Sequence, residues 1–121
     1  MEEPPGRQFT KKGVPMSNFV SHLSKDAAAA QADMFFVLRN KTRLRILDIL
    51  KTYGGLLCVA EIAEVLEENS SVISSHLALL RAVGLVSRKP FGSFAYYSLK
   101  EGALDQYQQF LEHLTASQNA R

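Results

Sequence analysis

Apolar residues recur along this chain first at helical and then at alternating spacing, and that change of period divides it into elements. From Ser17 or Asn18, either of which suits a helix N-cap, residues Phe19, Leu23, Ala27, Ala30, Met34 and Phe35 mark one apolar face running to about Leu38. Asn40 stands where a second N-cap is needed. Behind it Ile46, Ile49 and Leu50 fall at i, i+3 and i+4, Leu47 widens the stripe, and Gly54-Gly55 ends the helix. The segment LLCVAEIAEVLEE places Val59, Ile62, Ala63 and Leu66 at i, i+3, i+4 and i+7, a short third helix with one buried face. In ENSSVISSHLALLRAVGLV, Asn69 or Ser70 caps a fourth helix; Ile73, Leu77 and Leu80 point inward and Gly84 closes it.

The pattern then switches to strands. LVSRKP and SFAYYSL join around Phe91-Gly92 as a hairpin, and Pro90, which cannot donate to a ladder, belongs at a strand end or on an outer edge. A last helix, from about Glu101 to Ala116, presents Leu104, Tyr107, Leu111 and Leu114 as a stripe. The order helix, helix, helix, helix, hairpin, helix predicts a mainly α fold with a small β-hairpin. Two short helices joined by a tight turn and followed by a hairpin make a winged helix-turn-helix. Residues 1–16 hold three of the four prolines and two glycines, and are expected to be a flexible arm. Residues 17–116 form the folded domain in this reading and 117–121 a tail.

Composition changes the picture little. A chain of 121 residues suits one domain with one core, and 46% hydrophobic with 21% charged residues is an ordinary globular mix. The net charge of +2 permits a polyanionic partner without demanding one, so the position of the charge matters more than its sum. Cys58 is the single cysteine, which rules out an intrachain disulfide and fits a reducing compartment. No apolar run is long enough to span a bilayer and the N-terminus carries no hydrophobic signal region, so a cytoplasmic protein without a membrane partner is expected.

Candidate chemistry gathers on the fourth helix and the hairpin. The fourth helix opens on Ser70, Ser71, Ser74 and Ser75, with Arg81 further on. Serine is a poor helix former, and a purely solvated face is better served by Glu or Lys. Short hydroxyls near a helix N-terminus suit close approach to base edges and phosphates. The competing reading is that these serines only cap and solvate the turn. The hairpin tips the balance: Arg88 and Lys89 precede its tip, Ser93 follows, and no acidic residue occurs from Leu85 to Lys100. That is the composition of a wing that grips phosphates, although two basic residues also discourage edge-to-edge sheet pairing. Phe94, Tyr96 and Tyr97 are expected to pack the hairpin onto the core.

Four segments in order, FFVLRNKTRLRILDIL, LLCVAEIAEVL, SVISSHLALLRAVGLV and AYYSL, resemble the ArsR/SmtB-type winged-helix repressors over roughly Met34 to Leu114. The resemblance implies a homodimer formed through the first and last helices, bound to a double-stranded DNA operator. It assigns the recognition helix to Ser70–Arg81, with Ser74, Ser75 and His76 at motif positions and Ser71 also facing the groove. Arg88 and Lys89 would sit on the wing. Arg43 matches an arginine near the start of the second helix that reaches a phosphate or ties helices together.

The family's sensor sites are incomplete here. Where some metal sensors carry Cys-Val-Cys, this chain has Cys58-Val59-Ala60, and one thiolate does not hold a soft metal. The last-helix metal site keeps only the weak candidates Asp105 and His113. No cofactor is therefore expected, and an inducer, where there is one, is expected not to be a thiol-bound metal. Cys58 remains a candidate redox or sensor residue, because a helix N-terminus lowers a thiol pKa. No glycine-rich phosphate loop, supported Ser/His/Asp order or metal cluster points to an enzyme. Two alternatives stay open: a winged-helix protein-interaction module without DNA binding, kept alive by Glu67 and Glu68 beside the serine helix, and a metal-responsive repressor with a non-standard site.

Overall fold

The computed structural model of the chain describes residues 11–16 and 23–116. The described residues fall into two compact units divided between Ala30 and Gln31. The elements are α1 (Lys25–Leu38), α2 (Lys41–Tyr53), β1 (Leu57–Cys58), α3 (Val59–Leu66), α4 (Ser70–Ala82), β2 (Val86–Phe91), β3 (Phe94–Leu99) and α5 (Asp105–Thr115).

The caps explain most of the boundaries. Asn40 Oδ1 accepts from the N–H groups of Thr42 and Arg43 at 2.9 and 3.1 Å, which starts α2. Gly54, at φ 76°, ends it with a left-handed residue that a side chain would strain. Asn69 Oδ1 accepts from the Ser71 N–H at 2.8 Å and starts α4. Between the two, α3 closes as Glu68 N–H donates to Ala63 O and Glu67 N–H to Glu64 O. This Schellman-type end holds Glu67 at φ 56°, a conformation that costs a non-glycine residue.

The core is one cluster. Ile46 and Leu50 of α2, Ile62 and Leu66 of α3 and Ile73, Leu77 and Leu80 of α4 are buried with Leu85, Val86 and Tyr97. Every one of the inward positions read from the α4 pattern is fully enclosed. The sheet order is β1-β3-β2, antiparallel throughout, so β2 is an edge strand and its Pro90 meets the requirement for a residue without an N–H. Gly92, at φ 61°, occupies the first place of the two-residue turn, as a type II′ hairpin turn requires.

Three boundaries differ from the sequence reading. The proposed caps Ser17 and Asn18 lie outside the described residues, as do the tail 117–121 and all of the arm except 11–16. α1 starts only at Lys25, because Ser24 Oγ accepts from the Ala27 N–H at 3.1 Å and Ser24 O from the Ala28 N–H at 2.8 Å. Leu23, counted on the helical face, precedes the helix. The sequence predicts a helix for the segment LLCVAEIAEVLEE. Instead Leu57 and Cys58 pair with Tyr97 and Tyr96, adding a third strand to the expected hairpin. The last helix begins at Asp105 and not Glu101, since Gly102 at φ 75° turns the chain and Leu104 stands at the cap.

Candidate nucleic-acid interface

α4 buries one side and exposes the other. With about 100° between successive residues, Ser71, Ser74, Ser75 and Ala78 share the centre of its open face, and all four are exposed. Ser70 and Arg81 stand on one flank of that face and Val72 and Leu79 on the other, likewise exposed. The sequence reading named the serines and Arg81 but missed Ala78, Val72 and Leu79; the i+3 and i+4 steps from Ser71 and Ser75 were the signal available. Two hydroxyls are already engaged as donors. Ser71 Oγ donates to Asn69 Oδ1 at 2.6 Å, and Ser75 Oγ donates to Ser71 O at 3.0 Å. Both oxygens keep lone pairs that can accept from a base amino group.

The wing adds charge on two sides. In β2 successive side chains alternate between faces, so Arg88 and Lys89 point in opposite directions. Arg88 lies opposite Tyr97 on the core-facing side, and Lys89 lies opposite Tyr96 on the outward side. Both are exposed, as is Ser93 in the turn. The expected packing role holds for Tyr97, which is buried, and in part for Tyr96, which is half-buried. It fails for Phe94, which stands at the hairpin tip beyond the reach of the core and is exposed.

Arg43 and His76 are turned inward. Arg43 Nε donates to His76 Nδ1 at 3.1 Å, and Nη1 donates to Val37 O at 3.2 Å. The guanidinium therefore joins the end of α1, the start of α2 and the middle of α4, and of its two expected roles the structural tie is the one its geometry serves. His76, expected beside Ser75 at the groove, is partly buried and spends Nδ1 on Arg43, so it positions α4 from behind. Burial, and after it the Arg43 charge, hold the His76 imidazole below its ordinary value near 6.5, against a smaller opposing pull from Glu68.

That shift has a direction in stability. The unfolded chain takes up the His76 proton first as pH falls, so this contribution is complete above about 6.5 and is lost as pH drops through the folded-state value. Between pH ~7.5 and ~5, urea midpoints of the wild type are expected to fall more steeply than those of His76→Gln, whose amide oxygen also accepts from Arg43 but does not titrate there. Equal slopes would remove His76 from the pH response.

The sensor candidates are scattered. Cys58 is a half-buried free thiol whose backbone N–H donates to Glu61 Oε1 at 2.9 Å, half of a capping box for α3. Asp105 and His113 both lie on α5, eight positions and so about 12 Å apart along the axis, too far to share one ion within one chain. Among the described residues, no three of His, Cys, Asp and Glu come together as a metal site. Among those residues also, no helix is long and apolar enough to cross a membrane.

Comparison with known proteins finds relatives of the same fold. Residues 40–88, from the α2 cap to the wing, match the family described as bacterial regulatory protein, arsR family. The transcriptional repressor SmtB homolog of Synechocystis sp. is 31% identical over 96 residues, 78% of this chain and 71% of that protein. The transcriptional activator HlyU of Vibrio cholerae is 31% identical over 108 residues, 89% of this chain and 95% of that protein. Among solved structures, an ArsR-like transcriptional regulator from Rhodococcus sp. RHA1 superposes with a TM-score of 0.66 at 27% identity, covering 74% of this chain and 82% of that one.

Proposed function

The chain belongs to the arsR family of bacterial regulatory proteins and is a DNA-binding transcriptional repressor, and we propose that it acts as a homodimer on a pseudo-palindromic operator. The observation that carries this reading is the open face of α4, lined by Ser71, Ser74, Ser75 and Ala78, on the same compact unit as a hairpin free of acidic residues. Small side chains let the helix backbone approach the floor of a major groove. Lys89 and Arg88 on the wing, with Arg81 and Ser70 on the flank of α4, supply phosphate contacts. Glu67 and Glu68 sit in the turn behind the α4 cap and not on its open face.

Dimerisation is supported by what the last helix leaves uncovered. α5 has no buried residue, and Leu104 at its cap and Leu111 and Leu114 along it are exposed. Phe35 and Phe36 of α1 are exposed as well, with the Phe35 ring 4.4 Å from that of Tyr107. A second copy covering this surface places the two α4 helices for successive major grooves, about 34–36 Å apart. Bound there, the dimer blocks polymerase access, and an inducer acts by changing the dimer geometry. With Cys58 the single cysteine of the sequence, that inducer is not a thiol-held metal.

Fluorescence anisotropy on the DNA upstream of its own gene, against scrambled DNA and over a salt series, tests the proposal. Selective binding is expected, with log K falling linearly in log salt at a slope of about −0.9 per neutralised phosphate. Equally weak binding to both DNAs at every salt would overturn it in favour of a protein-interaction module. Because HlyU is named an activator, a reporter driven by the bound promoter reads the sign: its output is expected to rise when the protein is removed.

A further inference from the structure

Two phenylalanines stand at the end of the wing with little covering them. Phe91 and Phe94 flank the Gly92-Ser93 turn, are Cα partners in the hairpin register, and are 70% and 61% exposed. Directly paired residues lie on the same face of a hairpin, so both share the outward face with Lys89 and Tyr96. The Phe91 ring meets the Tyr96 ring edge-on at 6.2 Å, which orients it along the hairpin. Burying a phenylalanine is favourable, so a tip that leaves two in water forgoes stability unless a partner covers them.

The surrounding charge selects that partner. Lys89 shares the aromatic face, Arg88 stands behind it, and no Asp or Glu occurs from Leu85 to Lys100. Apolar rings on a hairpin whose own charged residues are all basic complement a polyanion whose interior is apolar, which describes stacked bases between two phosphate rails. Resting on the DNA-binding reading above, we propose that Phe91 and Phe94 form an apolar wedge that enters the minor groove next to the α4 contact, unstacks a base step and bends the duplex. Lys89 then holds a phosphate at the groove edge. The two-residue turn suits this work, because it brings the rings to a narrow end without a floppy loop. Pyrimidine–purine steps unstack most easily, so the wedge favours TA or CA/TG at a position that no hydrogen bond reads.

End-to-end energy transfer tests the wedge on a dye-labelled duplex of about 30 base pairs cut from the upstream segment that the protein protects. The wild type is expected to raise transfer on binding. Phe91→Ser with Phe94→Ser is expected to return transfer to the free-duplex level and to weaken binding roughly tenfold, with the salt slope unchanged because the cationic contacts remain. Phe91→Leu with Phe94→Leu keeps an apolar wedge and is expected to keep the bend. Thermal unfolding and sedimentation of each variant check that fold and oligomeric state persist. A wild-type complex as straight as free DNA, or a serine double variant that bends like the wild type, overturns the wedge and leaves the repressor standing. A serine variant that loses its oligomeric state would make the tip a subunit contact. Phenylalanine-dependent binding to phosphatidylglycerol vesicles with DNA bending intact would make it a membrane contact; either result also overturns the proposal. No binding of the duplex by the wild type would instead sink the repressor reading itself.

Discussion

Glutamate in place of both Ser74 and Ser75 is expected to abolish operator binding while leaving the protein folded. Both side chains are exposed at the centre of the α4 face, and neither supports the core beneath it. Glutamate forms helix better than serine, and the Asn69 cap is untouched, so local stability does not suffer. In the groove the two carboxylates meet phosphates and base acceptors. Like charges at an interface cost several kcal/mol, and each ~1.4 kcal/mol is tenfold in Kd, so the loss is on the order of a hundredfold to ten-thousandfold. Anisotropy on the upstream DNA, paired with circular dichroism, measures both halves of the expectation. Ser74→Ala with Ser75→Ala removes the hydroxyls without the charge and is expected to lose selectivity more than affinity. Binding by the glutamate variant within a few-fold of wild type would place α4 outside the groove.

The second large effect concerns what holds that face in place. Leu77 is 0% exposed in the middle of α4, on the side opposite Ser75. Leu77→Ala is expected to cost about 2–5 kcal/mol, from lost burial and from the cavity left behind. Set against a total of roughly 5–15 kcal/mol for a domain, that is a large fraction of the whole. The urea midpoint should fall with little change in m. DNA binding should weaken only in proportion to the unfolded fraction, because the exposed face of α4 is unaltered. A midpoint within the error of wild type would mean that the surrounding chain collapses into the gap.

The parts of this fold legible in the sequence are those with a local cause. α2 and α4 were readable because each has an asparagine whose carbonyl oxygen takes the first free N–H groups, and an apolar period behind it. The hairpin was readable because Gly92 is required at φ 61° and because Pro90 suits an edge. β1 was not, since two residues have no period and Leu57-Cys58 becomes a strand only when Tyr96 and Tyr97 offer their backbone. The start of α5 was misplaced because Leu104 fits the apolar stripe by spacing, and only the turn at Gly102 shows that it precedes the helix. For the site, the serine face and the basic wing were visible as composition. The Arg43–His76 bond was not, because it joins residues 33 positions apart. The separation of Arg88 from Lys89 onto opposite faces follows from strand alternation, and it was hidden by reading them as a pair.

The short strand β1 has a mechanical consequence. Its backbone bonds fasten Leu57-Cys58 to the middle strand of the wing, and α3 begins at the very next residue, Val59. The helix that supports α4 and the strand that supports the hairpin tip thus belong to one frame, with no free linker between them. On the DNA-binding reading proposed above, α4 and the hairpin are the two jaws of a caliper set to a single gap. Such a tool cannot adjust to DNA by flexing a loop, so the duplex has to supply the compliance. Sequences too stiff to take up the set distance would then be rejected whatever bases they display, and part of the operator's identity would be written in its elasticity.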